Sequence, residues 1–466
     1  MKLLKVHFYS CLGIKWIVGF LWLFILGCGS QVEAVEPPIP NPQPFSYTGI
    51  QTIPERWWTT FDDAQLNRLV DSALSKNLNL AAIWEQFQAA EANVRIQGST
   101  LWPQVEASVR SGISRPEPDF AGGENTQAGL IAAYEVDLWG RLSAAKAAEV
   151  FRAKASFYDY QAAAVSLSAE ISISYFNVLS MMRQLELVKE QVQINQTIMT
   201  LIRARFGGGQ IRAVDILRQE QLLESTRALQ VTFERNLQLA KHQLAVLVGT
   251  PAQNDILIHQ MDLPELDSIP QTGLPLELTR RRPDIQNAYE RLLAADRDYA
   301  VAVKNKYPRL DISIAAQARS NTYSNLFQEW AYSIAGNLVA PLFYGGRLRA
   351  EVDQAEAFKN RALYDYGQAV LVAFREVEDA LVNEQKQHER LEVLERQLVL
   401  TEKTNTQLRL EFVNGLSDYL DVLLSLDAQQ QLKRDKIAAD QQLLEFRIQL
   451  YRALAGSFET ARENEK

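Results

Sequence analysis

Thiol chemistry has almost no material in this sequence. Its 466 residues include two cysteines, Cys11 and Cys28. Both fall at the N-terminal end, so the rest of the chain needs no disulfide even in an oxidising compartment. Histidine is nearly as scarce: the four are His7, His242, His259 and His388, and none of their spacings matches a metal-ligand motif such as H-E-x-x-H. Five methionines form no cluster of the kind a copper or silver exporter would use. No nucleophile elbow is present, and Gly207-Gly208-Gly209 lacks the preceding strand and the lysine–hydroxyl pair of a phosphate loop. An enzyme, a resident metal or a cofactor is therefore not expected. A net charge of −8 gives no basic face for nucleic acid. After residue 30 the sequence shows no apolar run of the roughly 20 residues that a membrane helix requires.

What is present begins with Lys2, Lys5 and Lys15 ahead of an apolar run from Trp16 to Gly27. A basic flank followed by a short apolar core reads as a secretory signal over residues 1–27. The run ends in Ile25-Leu26-Gly27-Cys28, which resembles the lipobox of bacterial lipoproteins. That resemblance implies cleavage before Cys28 and its acylation. The alternative is an uncleaved helical anchor with a chance cysteine. Residues 28–55 are proline-rich, five prolines lying between Glu36 and Pro44, and read as an extended tether.

Beyond the tether the hydrophobic period switches between two values. It is helical from Asp62 to Ser99, then two through about 103–113 and 126–138. Val105, Ala107 and Val109 alternate with Glu106, Ser108 and Arg110 in the first strand. Leu130, Ala132, Tyr134 and Val136 alternate with Gly129, Ala133 and Glu135 in the second. Both have the length of a transmembrane β-strand. A helical period then persists from Gly140 to about Phe206, a span of roughly 100 Å at 1.5 Å per residue. It breaks at three glycines and resumes to Val248, giving a hairpin over about 140–248. The pattern then repeats: a helix from Pro283 to Asn305, strands about 308–319 and 329–340, and a hairpin about 345–455. Pro103 matches Pro308, Gly140-Arg141-Leu142 matches Gly346-Arg347-Leu348, and Phe206, Gly209, Asp215 and Leu217 match Phe412, Gly415, Asp421 and Leu423. A period of about 205 residues is too long for a solenoid repeat and indicates duplication of one unit: a first repeat over 56–260, a second over 261–456, and a polar tail over 457–466.

Four amphipathic strands cannot close a barrel, and an open edge in lipid leaves backbone groups unsatisfied. The barrel must be shared between chains. A dimer's eight strands would be filled by side chains, whereas a trimer's twelve leave a lumen. The long helices carry too much charge to lie in a membrane and must project from one barrel end, packed like a coiled coil. The fold class expected is α+β. It is an outer-membrane β-barrel shared between chains, four strands per protomer and twelve in a trimer, continued by a long α-helical coiled-coil periplasmic tunnel.

Two motifs make the resemblance specific. Arg281-Arg282-Pro283-Asp284-Ile285 is similar to the arginine–arginine–proline–aspartate signature of outer-membrane efflux proteins. The run from Phe412 through Asn414-Gly415-Leu416-Ser417-Asp418 to Leu423 resembles that family's helix turn at the periplasmic tip. Over about residues 56–456 the chain resembles a TolC-like exit duct of the lipoprotein branch serving resistance–nodulation–division efflux systems. The resemblance implies a homotrimer in outer-membrane lipid, a periplasmic adaptor (a membrane fusion protein) gripping the tips, and an inner-membrane resistance–nodulation–division transporter. It assigns Asp421 to a periplasmic gate. Asp418 lies one helical turn away, and three copies of each near a threefold axis would repel one another. The alternative is that both are solvated acids favoured at a helix start. The family's second gate acid falls here on Leu424, which would form an apolar constriction instead. Asp215, the repeat partner of Asp421, is a further gate candidate or a structural acid. Gly209 and Gly415 are expected to allow tight tip turns, with Leu416, Arg212 and Gln210 as adaptor contacts. Trp330 and Tyr332 are expected at the lipid interface, and Trp57-Trp58 either there or packed on the body. Ducts for type I protein secretion or metal ions remain as alternatives, and, from another class, a periplasmic coiled-coil scaffold.

Overall fold

A computed structural model describes residues 38, 43–49, 53–113, 124–254, 256–258, 262–266, 268–273, 275–320 and 323–464. The signal segment, Cys28 and most of the tether lie outside the described residues. Four strands form one antiparallel sheet: β1 (Gln104–Ile113), β2 (Glu124–Val136), β3 (Arg309–Ser320) and β4 (Trp330–Val339), in the order β1-β2-β3-β4. The helices are α1 (Ala64–Lys76), α2 (Leu78–Ser99), α3 (Arg141–Gly207), α4 (Ala213–Leu247), α5 (Pro275–Arg281), α6 (Pro283–Lys304), α7 (Arg347–Val413), α8 (Tyr419–Leu454) and α9 (Ala461–Asn464). The duplication is visible in their lengths. The long helices α3 and α7 have 67 residues each, and α2 and α6 have 22 each.

Register decides what the sheet can face. Partners across an antiparallel ladder share a face. One face carries the rows Val105–Ala132–Ile314–Ile334, Ala107–Leu130–Ala316–Tyr332 and Val109–Ala128–Ala318–Trp330, with Val136–Leu310–Leu338 nearest the helices. The opposite face carries Ser108–Gly129–Gln317–Ala331 and Glu135–Asp311–Asn337. The duplicated strands pair so that four apolar stripes merge into one continuous band. Val105, Val109, Ile334 and Leu338 are exposed on it. Trp330 and Tyr332 lie on the same band, with Phe327 stacked on Trp330. Strands β1 and β4 are the edges of the sheet.

All four helix–strand junctions lie at one end of the sheet. From there α2 and α6 flank the first third of α3, while α4 and α8 flank its remainder, and α7 packs on α6 and then α8. At 1.5 Å per residue α3 and α7 run roughly 100 Å from the sheet. Glycines turn the chain from strand into long helix: Gly140 and Gly346 have φ of 70° and 88°, a left-handed conformation costly for any residue with a Cβ. Helix α3 contains an 18-residue window of mean hydropathy 1.3, contrary to the expectation that no such apolar helix follows residue 30. Its function is internal: 67% of that window is buried in the body.

The main core surrounds that stretch. Trp57 and Trp58 are fully buried against it, Trp57 stacked on Tyr451 and Trp58 edge-on to Phe458, so the body-packing alternative holds for this pair. The part of the tether at 43–49 is not free-standing. Ser46 donates from its backbone and hydroxyl to Glu378, at 2.9 and 2.6 Å, and Phe45 meets Phe374 edge-on. The polar tail folds back too: Tyr160 and Thr460 share a hydroxyl–hydroxyl hydrogen bond of 2.7 Å, and Gln161 donates to Glu463. These segments carry scattered aromatics rather than a period, so a pattern search reads them as linkers.

Candidate functional site: the helical tips

The ends of α3 and α7 are built alike. Helix α3 runs through Gly207, and Gly209 then takes φ 68°; Gly415 takes φ 73° after α7. In both turns the amide two residues past the helix cap reaches back five residues: Gln210 N–H to Arg205 O at 3.0 Å, and Leu416 N–H to Glu411 O at 2.8 Å. This closing bond satisfies an otherwise orphan helix carbonyl and demands a left-handed residue, which glycine supplies. Gln210 and Leu416 are left exposed at the apices.

The two hairpins diverge one turn later. In the first copy, Asp215 is buried and its carboxylate is committed. It accepts from the Arg212 backbone N–H at 3.2 Å and from the Arg212 and Arg218 guanidinium groups at 3.3–3.4 Å. This caps α4 and leaves the Asp215 carboxylate buried and paired. In the second copy Asp418 and Asp421 occupy the equivalent places, and no side-chain hydrogen bond caps α8. Both are exposed, as is Leu424. At spacing i, i+3, i+6 the three share one face of α8. The opposite side of that helix, Tyr419 and Val422, buries with Ile202 of α3. Arg205 lies over the Phe412 ring at 4.9 Å, closing the same cluster.

Charge links the tips as well. Arg212 is raised above its ordinary value by hydrogen bonding to Asp215, by the charge of Asp215, and by the charge of Asp418 across the gap between hairpins. Tyr419 donates its hydroxyl to Gln219 on α4. Burial, and then the nearby Asp215, push that hydroxyl's ionisation well above the ordinary tyrosine range, so it stays a donor.

Above the tip runs a buried polar seam that sequence inspection does not single out. Gln184 and Gln191 of α3 donate to the Arg434 and Gln430 carbonyls of α8 at 2.7 and 3.1 Å. Arg434 donates back to Gln191 at 2.6 Å, and Gln430 donates to Asn195 at 3.1 Å. Asn195 also reaches Thr226 of α4 at 2.9 Å. The available signal is the appearance of Gln and Asn at i, i+7 and i+11 on a helix face otherwise apolar. The arginine–arginine–proline motif is likewise a joint. Arg282 is buried and donates to Asp284, Glu376 and the Ala453 carbonyl, locking the start of α6 to α7 and α8.

Known proteins share this arrangement. The outer membrane efflux protein family matches residues 69–250 and again residues 274–456, once on each half. The pyoverdine export outer membrane protein OpmQ of Pseudomonas aeruginosa is 30% identical over 469 residues, covering 95% of this chain and 96% of its own. The outer membrane protein OprJ of the same organism is 31% identical over 420 residues, covering 87% of each. Among solved structures, a membrane protein from Pseudomonas aeruginosa superposes with a TM-score of 0.84 at 29% identity, covering 91% of this chain and 99% of that one. The chain belongs to the outer membrane efflux protein family: it is an outer-membrane efflux channel subunit of TolC-like fold, with a barrel sheet in the membrane and its helices extending into the periplasm.

Proposed function

We propose that three copies of this chain form a passive exit duct for small molecules, lipid-anchored through acylated Cys28 and gated at the helical tips. The observation that carries this reading is the sheet: one continuous apolar face, one polar face and two edges that no strand among the described residues pairs. Pairing β1 of one copy with β4 of the next satisfies both edges, and closure at twelve strands leaves a water-filled lumen lined by the polar face. The helices of three copies continue that lumen into the periplasm. At its far end Asp418, Asp421 and Leu424 would approach their counterparts around the axis, forming two acidic layers and an apolar one. The turns at Gly209 and Gly415, with Gln210, Arg212 and Leu416 exposed beside them, are the surface a periplasmic adaptor would grip, joining the duct to a resistance–nodulation–division transporter in the inner membrane. No bond chemistry is required of the chain, and nucleic acid has no role. Duplication with a strict difference at the tips supports this division of labour, the first copy supplying the capped wall and the second the open acids.

The oligomer is the most exposed part of this reading. Native mass spectrometry of full-length protein extracted from outer membranes is expected to give three copies, each carrying the added mass of acyl chains. A monomer or dimer as the only species would refute the shared barrel. A trimer without added mass would refute only the anchor.

A further inference from the structure

Far from the tips, near the sheet, α2, α3 and α6 enclose a groove of about 490 Å³. Phe87 and Val94 of α2 and Val150 and Phe157 of α3 form its apolar walls, with the rings of Phe87 and Phe157 5.4 Å apart. Such a volume suits a drug-sized molecule. Glu91, Arg95 and Lys154 also line it, and a second acid, Glu290, is the buried one. Glu290 of α6 is only 8% exposed, and its Oε2 is buried without any hydrogen-bond partner.

A carboxylate in such a place is unsatisfied, and burying it unpaired is costly. Burial raises its ionisation above the ordinary carboxylate range, and the charge of Lys154 only partly offsets this. Lys154 makes no ion pair with it. The lysine ammonium instead stands over the Phe151 ring at 5.5 Å. Tyr158 adds nothing charged: burial and the field of Glu290 raise its hydroxyl's ionisation. The groove therefore presents apolar walls, three aromatic rings, the charged groups of Glu91, Arg95 and Lys154, and one buried acceptor without a partner, Oε2 of Glu290.

We propose that this groove is a binding site for an amphipathic organic cation, a protonated amine carrying an apolar body, with the ammonium on Glu290 and the body between Phe87, Phe157, Val94 and Val150. A neutral apolar molecule would fill the walls and leave the carboxylate unpaired. A small inorganic cation would pair the carboxylate and leave the walls wet. Only the combination answers both features, and the aromatic rings add favourable faces for the positive charge. The site lies in a different part of the chain from Asp418 and Asp421, and it does not depend on the duct being open.

Dansylcadaverine, a primary ammonium on an apolar fluorophore, tests this with the full-length protein in nanodiscs. Wild type is expected to give saturable binding with fluorescence enhancement, and Glu290→Gln is expected to weaken it by at least about tenfold, the loss expected when one side of a desolvated charge pair is removed. Val94→Trp, which fills the groove and leaves the acid in place, is expected to abolish it. Dansylamide, which lacks the ammonium, should bind far more weakly and equally to wild type and Glu290→Gln. Absence of saturable binding to wild type, as when a neighbouring copy covers the groove, would overturn the proposal. So would equal affinity in Glu290→Gln, or in Val94→Trp should the glutamine variant fail to fold, or dansylamide binding as tightly as the cation.

Discussion

Arg447→Ala is expected to destabilise each protomer by about 3–5 kcal/mol, the range for leaving one member of a buried ion pair alone. Arg447 of α8 and Glu384 of α7 have side chains 1% and 0% exposed. The guanidinium Nε donates to both carboxylate oxygens at 3.0 Å, and a second nitrogen, Nη2, reaches Oε1 at 2.5 Å. Burial alone would disfavour the charged arginine. Hydrogen bonding to Glu384 and the charge of that carboxylate outweigh it and hold the guanidinium above its ordinary value. The same group donates to the Ser268 carbonyl at 3.4 Å, so it also fastens the segment between the two repeats. Removing the arginine strands a carboxylate in the core of the second hairpin. The double variant Glu384→Leu/Arg447→Met, which removes both charges, is expected to recover most of the loss. Thermal unfolding followed by circular dichroism at a fixed scan rate distinguishes these cases. An Arg447→Ala protein that melts with wild type would show that the pair does not hold the hairpin.

Ile334→Arg is expected to prevent assembly in the outer membrane, whereas its neighbour Ser333→Arg is expected to be tolerated. Ile334 sits on the apolar face in line with Val105, Ala132 and Ile314; Ser333 sits on the polar face opposite Ala315. An arginine on the lipid face of a barrel costs about 2–4 kcal/mol near the bilayer midplane, and in the proposed trimer each copy would bear it. On the lumen face the same side chain meets water. The amount of protein recovered in outer-membrane fractions reads the difference. Equal recovery of the two variants would mean that the sheet does not divide lipid from lumen along this register.

Much of this was legible in the sequence because both periods are strong and each occurs twice. Alternation over about ten residues marks Val105–Val109 and Leu310–Ala318 as strands, since a one-residue slip would turn every side chain to the wrong face. Uninterrupted helical periodicity marks the long helices, and Gly209 and Gly415 mark the turns because few other residues accept the left-handed conformation there. The equivalence of Asp215 and Asp421 was legible too, but their different fates were not. Those depend on Arg212 and Arg218 standing beside Asp215, while Asp418 replaces the first of these arginines in the second copy. Amides at i, i+7 and i+11 mark one side of the seam, but which residues pair over long range left no local trace. Glu384 and Arg447 are 63 residues apart, and Gln191 and Arg434 are 243 apart. Glu384, Arg434 and Arg447 each read alone as an ordinary surface charge on a long helix. Glu290 is the sharpest instance: its repeat position in the first copy is Glu85, which is exposed, and nothing in the sequence says which of the two is buried.

Ion conduction tests the central claim most directly. Full-length protein reconstituted in planar lipid bilayers is expected to show discrete conductance steps with a preference for cations over anions, because the tip acids Asp418 and Asp421 would line the narrowest passage. Asp418→Asn/Asp421→Asn is expected to keep the steps and lose most of that preference. Steps with unchanged selectivity would remove the two aspartates from the constriction. Absence of any conductance from both the wild type and the double variant would contradict the duct itself.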